Sequence, residues 1–258
     1  MKVVIFAGGL GTRISEETDT RPKPMVEIGG KPIIWHIMKI YSHYGFNDFI
    51  ICLGYKGYVI KEYFMNYFLH SSDITVDLSN NKTEIHGSNA ESFKVTLVET
   101  GPNTKTAGRL QQVQKYIGNE DFMLTYGDGV CDVNVNDLLA FHNKHGKVAT
   151  VTAIQMDASF GGMDLGDQGQ VVSFKEKAKD ESKWINGGFF ILKPDVFNYL
   201  EGDMTDMMWE DEPLEKLTTN EQLVAYKHFG FWKCMDALRD KLELEDFWKT
   251  NQAKWKVW

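Results

Sequence analysis

At 258 residues, 43% hydrophobic and 25% charged, the chain is long enough to bury a sizeable core and has the composition of a globular protein. A formal net charge of -8 argues against nucleic acid or an anionic membrane surface as partner, and no apolar run approaches the roughly 20 residues that cross a bilayer. Cys52, Cys131 and Cys234 are odd in number and widely spaced, which speaks against a disulfide framework or a zinc site and for small core residues. The amino terminus lacks a signal-peptide pattern, so a cytoplasmic protein is expected.

Val3, Val4, Ile5 and Phe6 make a short buried strand that ends abruptly at Ala7-Gly8-Gly9. Gly8, Gly9 and Gly11 strip side chains from the strand's carboxyl end, so backbone N–H groups can approach phosphate oxygens or a base edge. In Arg21-Pro22-Lys23-Pro24 the prolines predict a stiff, extended presentation of Arg21 and Lys23. Arg13, Arg21, Lys23 and Lys31 form a locally basic stretch against an acidic background. Two familiar phosphate motifs fail here. Ile14 stands where a dinucleotide fingerprint needs its third glycine, and Arg13-Ile14-Ser15 does not supply the Gly-Lys-Ser/Thr of a P-loop.

Farther on, the spacing predicts a helix over 32–44, a strand over 48–53 and a helix over 57–69. A hairpin around Ser79-Asn80-Asn81-Lys82 and a strand ending near 98 follow, the hairpin flanking the main sheet as an insertion. A helix over 108–117, a strand over 121–126, a helix over 135–145 and a strand over 147–154 complete the first half. Strand–helix alternation implies a parallel sheet with right-handed crossovers. After 154 the pattern turns antiparallel, with short strands near 162–165, 170–176 and 186–192, then helices at 194–201 and 236–249. No linker or repeat interrupts the chain, so 1–258 reads as one domain.

The motifs Ala7-Gly8-Gly9-Leu10-Gly11-Thr12-Arg13, Pro22-Lys23-Pro24-Met25 and Gly29-Gly30-Lys31-Pro32, in that order, resemble the sugar-1-phosphate nucleotidylyltransferases. The resemblance runs over nearly the whole chain and implies that 1–150 is mainly nucleotide-binding and 151–258 mainly sugar-binding and closing helices. It implies an α/β, Rossmann-like three-layer fold with a mixed, mainly parallel central sheet and a small antiparallel sugar-binding part. The wording around residues 15–38 is most similar to members that join CTP and glucose 1-phosphate into CDP-glucose and pyrophosphate. Rivals are a relative using UTP or dTTP, and a non-catalytic sugar-nucleotide-binding homologue.

The same resemblance distributes roles. Phe6, Ala7, Gly8, Gly9, Leu10, Gly11, Thr12, Arg13, Lys23, Thr104, Arg109 and Asp128 are expected to hold the nucleotide, with Arg13 and Lys23 catalytic. Asp128, between glycines at a strand end, and Asp236 are expected to bind Mg²⁺, a hard ion suited to carboxylates. On pattern alone Asp128 reads equally as an Asx turn or cap, and Asp236 as a helix N-cap. Gly161, Glu176, Lys177, Asn186 and Gly187 resemble the hexose pocket, although Ala178 stands where many relatives carry proline. A guanidinium offers only donors, so Arg109 directed at a base edge would favour cytosine over the N3–H of uracil. Exposed tryptophans, expected at 209, 232, 248, 255 and 258, suggest a homo-oligomer, and relatives point to a hexamer. The resemblance also places the product upstream of CDP-linked dideoxy sugars of bacterial lipopolysaccharide O-antigen.

Overall fold

The computed structural model describes the chain except residues 12, 13, 15–17, 19, 156–161, 166–170 and 176–183, and describes only the backbone at 88, 162–165 and 171–175. The expectations for Thr12, Arg13, Gly161, Glu176 and Lys177 therefore lie outside the described residues.

In chain order the elements are β1 (Val3–Ala7), a 3-10 turn at Lys23–Met25, β2 (Glu27–Ile28), β3 (Lys31–Pro32), α1 (Ile33–His43), β4 (Asp48–Leu53) and α2 (Gly57–His70). Next come β5 (Ser72–Asp77), β6 (Lys82–Ser88), β7 (Lys94–Glu99), α3 (Thr106–Ile117), β8 (Phe122–Tyr126), β9 (Gly129–Cys131) and α4 (Val135–His145). The rest are β10 (Ala149–Ile154), β11 (Gly162–Leu165), β12 (Val171–Lys175), β13 (Ile185–Asn186), β14 (Phe190–Leu192), a 3-10 segment at Pro194–Tyr199, α5 (Glu212–Thr219), β15 (Leu223–His228), β16 (Trp232–Cys234) and α6 (Leu238–Lys249).

The main sheet runs β13-β10-β14-β8-β1-β4-β7, with β15 also on β10. Pairs β8–β1, β1–β4, β4–β7 and β10–β15 are parallel, while β14–β8, β10–β14 and β10–β13 are antiparallel. The fold is the mixed, mainly parallel α/β type. Alternation along β1 builds three layers: Val3, Ile5 and Ala7 face α1 and α4, whereas Val4 and Phe6 face α3 and Trp209. Each fully buried isoleucine contributes about 1.5–3 kcal/mol by leaving water, so both faces are firmly held.

Three expectations are corrected. Trp209 and Trp255 are 0% and 1% exposed and belong to the core: Trp209 packs edge-on against Phe190 of β14, and Trp255 stacks on Phe231 and meets His36 of α1. The strand foreseen over 186–192 is broken into β13 and β14, because Gly188 and Phe189 take positive φ of 74° and 47°. Helix α5 and strand β15 were not anticipated, and β15 adds a parallel strand where an antiparallel region was expected. The hairpin β5–β6 does stand apart as its own two-stranded sheet.

Candidate active site

The parallel core sets β1, β4 and β8 with their carboxyl ends together, the edge at which ligands bind in open α/β sheets. From those ends spring the Gly8–Gly11 loop and the Gly127-Asp128-Gly129 turn. A cavity of about 670 Å³ opens there, lined by Phe6, Ala7, Gly8, Gly9, Leu10, Gly11, Lys23, Thr104, Thr106, Arg109, Tyr126, Asp128 and Asp236, among others. The described residues expected to hold a nucleotide thus share one cavity.

A second cavity of about 910 Å³ is lined by Asn186, Gly187, Trp232, Lys233 and again Tyr126, Asp128 and Asp236. The two cavities therefore meet at one tyrosine and two carboxylates. Asp128 and Asp236 are brought together by the antiparallel pair β9–β16, in which Cys234 faces Gly129, extended by the Met235 N–H donating to Asp128 O at 2.9 Å. Asp236 is not the helix N-cap. Ala237 holds that position, and Asp240, in the first turn of α6, accepts from the amides of Asp236 (3.0 Å) and Ala237 (2.8 Å), while the Asp236 carboxylate faces the site.

Lys23 stands between the carboxylates, Nζ lying 2.7 Å from Asp128 Oδ2 and 2.6 Å from Asp236 Oδ1. Its segment is a 3-10 turn rather than the extended run expected, because the Met25 and Val26 amides close back onto Pro22 and Lys23 carbonyls. Burial works against the ammonium's charge, but attraction to Asp128 and hydrogen bonds to both carboxylates outweigh it, and Lys23 is pushed up to about 12. Asp128, Cys234 and Asp236 offer ligand atoms within 4.8 Å of one another. Burial, then Asp128, push the Cys234 thiol up, so it stays protonated beside them. The two carboxylates supply hard oxygens, and a hard divalent cation fits them better than it fits the thiol.

Arg21 and Lys31 do not join this group. Arg21 pairs with Glu27 at 2.8 Å, and both cations line a different cavity beside α2.

Arg109 lines the cavity of the glycine loop and also bonds to the backbone around it. It is 4% exposed and sits under the glycine loop, where Nη1 donates to Leu53 O (2.8 Å) and Thr100 Oγ1 (2.6 Å) and Nη2 to Gly8 O (3.0 Å). A Cβ at Gly8 would collide with that guanidinium, which could make room only by giving up its bonds to Leu53, Thr100 and Gly8. Gly11 is required by its φ of +66° and by Thr18, whose Cγ2 would lie 2.8 Å from an added Cβ. Gly9 has open space on its Cβ side and is the loop glycine with room for a ligand.

Sequence reasoning missed Tyr126, Glu210 and Trp232 as site residues. Tyr126 adjoins the Gly-Asp-Gly turn and was findable as the last residue of its strand. Trp232 donates Nε1–H to Gly187 O at 2.7 Å, a contact across 45 positions that no local pattern announces.

The chain matches the family described as "Nucleotidyl transferase" over residues 2–248. It is 54% identical over 259 residues to the glucose-1-phosphate cytidylyltransferase of Salmonella typhi, covering 100% of both chains. It is 28% identical to a mannose-1-phosphate guanyltransferase of Saccharomyces cerevisiae (strain ATCC 204508 / S288c), covering 98% of this chain and 66% of that one. Among solved structures, HddC from Yersinia pseudotuberculosis superposes with a TM-score of 0.69 at 23% identity, covering 96% of this chain and 99% of that one.

Proposed function

We propose, starting from the fact that the chain belongs to the nucleotidyl transferase family, that it transfers a cytidylyl group from CTP to α-D-glucose 1-phosphate. The products are CDP-glucose and pyrophosphate. The observation that carries this reading is the meeting of two cavities at Asp128 and Asp236, with the glycine loop and Lys23 in one and Asn186 and Gly187 in the other. The 54% identity to a glucose-1-phosphate cytidylyltransferase supports the choice of substrates.

A sugar-phosphate oxygen attacks the α-phosphorus in line, a new P–O bond forms, and the α–β bridging P–O bond breaks. The monoester, with a second pKa of about 6, is already largely dianionic at neutral pH and needs no general base. The chain's work is positioning and charge stabilisation. Gly9 lets phosphate oxygens or the base approach the backbone, and Lys23 brings a positive charge to the reacting phosphates. Asp128 and Asp236 would hold a divalent cation, Mg²⁺ by the hardness of their oxygens, which when bound neutralises phosphate charge. For the residues outside the described set, Thr12 helps to hold the nucleotide, Arg13 takes the leaving phosphates, and Gly161, Glu176 and Lys177 take the sugar and its phosphate.

On the same reading the enzyme works in the cytoplasm as a homo-oligomer. Support for self-association moves from the buried tryptophans to exposed Ile74, Val76, Leu78 and Ile85 of the hairpin, and sedimentation velocity reads the oligomer size directly. No helix among the described residues is long and apolar enough to cross a membrane.

The test is pyrophosphate release from CTP, UTP, dTTP, ATP and GTP, each with glucose 1-phosphate and Mg²⁺. CTP is expected to be preferred, and preference for another triphosphate would overturn the base assignment. No release from any of them would overturn the activity.

A further inference from the structure

The cavities are joined by a hydrogen-bond chain whose direction is fixed at every link. Glu210 lies just before α5. Its Oε2 accepts from Thr106 Oγ1 at 2.8 Å, and its Oε1 accepts the short hydrogen bond of the Tyr126 hydroxyl. Tyr126 OH in turn accepts from Asn186 Nδ2 at 3.0 Å, and Asn186 Oδ1 accepts from the Gly188 N–H at 2.8 Å. At the other end the Trp209 N–H donates to Thr106 Oγ1 at 2.7 Å.

An ionised carboxylate only accepts. Tyr126 must therefore spend its one hydrogen on Glu210, which leaves the phenol oxygen only acceptor capacity toward Asn186. The Asn186 amide is thereby oriented from both sides, its NH₂ toward Tyr126 and its oxygen toward Gly188. One amide hydrogen and one Oδ1 lone pair are left for the cavity that Asn186 lines.

We propose that Glu210 is a positioning residue that, acting through the Tyr126 hydroxyl, sets the Asn186 amide for recognition of a sugar hydroxyl, while its second oxygen ties that setting to Thr106 on the nucleotide side. This rests on the reading of the larger cavity as the sugar site. Thr106 opens α3 and lines the nucleotide cavity, so the same carboxylate touches an element of each half-site. A residue with this role need not contact substrate.

The test compares Glu210→Ala, Glu210→Gln and Tyr126→Phe with wild type, alone and combined with Asn186→Ala. Glu210→Ala and Tyr126→Phe are expected to raise KM for glucose 1-phosphate roughly tenfold, with kcat changed far less. They should also relax discrimination against galactose 1-phosphate and mannose 1-phosphate. Glu210→Gln keeps an acceptor for the Tyr126 hydroxyl and should restore most of the lost affinity. Added to Asn186→Ala, the Glu210→Ala change should have little further effect on that KM. Additive losses, or a Glu210→Gln variant no better than Glu210→Ala, would overturn the role.

A crystal structure of Glu210→Ala decides the matter without any assay. An Asn186 amide turned away from Tyr126 supports the proposal, and an unmoved amide overturns it. If wild type releases no pyrophosphate from CTP and glucose 1-phosphate, the proposed reaction fails, while the crystal structure still judges the positioning.

Discussion

The Lys23 ammonium lies 2.7 Å from Asp128 Oδ2, two residues 105 positions apart held on the seam between two cavities. The same ammonium reaches Asp236, so one positive charge bridges two carboxylates and offsets half of their charge. Lys23→Ala removes that charge and leaves two like charges facing each other. Turnover with CTP is expected to fall about 10²–10³-fold, the cost of deleting one preorganised charge-stabilising donor. Lys23→Arg should not restore it, because a planar fork cannot occupy a point-charge position. Circular dichroism checks that the variants fold, and a rate within threefold of wild type would remove Lys23 from the chemistry.

The pH dependence follows from the direction of the Lys23 shift. Its folded value is raised to about 12, so the stability it contributes is fully present below the unfolded value of about 10.4. That contribution is lost only as pH rises through about 12. A pH–rate profile from 6 to 9 is expected to contain no limb from Lys23. A limb in that range that disappears in Lys23→Arg would contradict the assignment.

Arg109 joins the ends of three segments, taking carbonyls of Leu53 and Gly8 and the hydroxyl of Thr100. Arg109→Ala leaves these buried acceptors unpaired, each at about 1–3 kcal/mol, so the variant should lose several kcal/mol in urea denaturation. Its KM for CTP should rise as the glycine loop loosens. If stability is unchanged and only the CTP/UTP ratio moves, the guanidinium reads the base rather than holding the loop.

How much of this was legible in the sequence depends on the range of the contact. The Gly8–Gly11 loop and Asp128 were readable because a buried strand ending in glycines is a local pattern. That Asp236 meets Asp128 was implied by resemblance alone, since the β9–β16 pairing joins short strands with no period to detect. The bonds of Arg109 to Leu53, Thr100 and Gly8 were not legible, because an arginine near a helix start carries no mark of its distant partners. Trp209 and Trp255 looked like surface because composition cannot say which tryptophan finds distant aromatic partners such as Phe190 and Phe231.

Two buried histidines predict acid sensitivity. His36 and His142 are each 0% exposed, and burial lowers both to about 4. A histidine whose folded value lies below its unfolded value of about 6.5 contributes stability that is complete above 6.5. The contribution is lost as pH falls toward about 4, because the unfolded chain takes up the proton first. The slope is about 1.4 kcal/mol per pH unit for each, or roughly 3 kcal/mol per unit together. Urea melts between pH 6.5 and 4.5 should show it, and His36→Gln or His142→Gln, in whichever folds, should halve it. An unchanged slope in a folded variant would assign the acid sensitivity to carboxylates.

Asp240 tests whether the aim of Asp236 depends on the helix that follows it. Its Oδ2 accepts from the amides of Asp236 and Ala237, a capping arrangement at the start of α6, and its side chain is largely buried. Asp240→Ala leaves both amides without that acceptor, at about 1–2 kcal/mol of stability. The backbone at Asp236 is then free to shift, and because a carboxylate misplaced by about 1 Å can cost 10²-fold, turnover should fall by at least tenfold. Asp240→Asn keeps one acceptor oxygen and should retain most of both quantities. The measurement pairs urea denaturation with steady-state turnover for the two variants. Stability lost with turnover intact in Asp240→Ala would mean that the strand pairing through Cys234 and Met235 alone fixes Asp236, and that the cap serves only the helix.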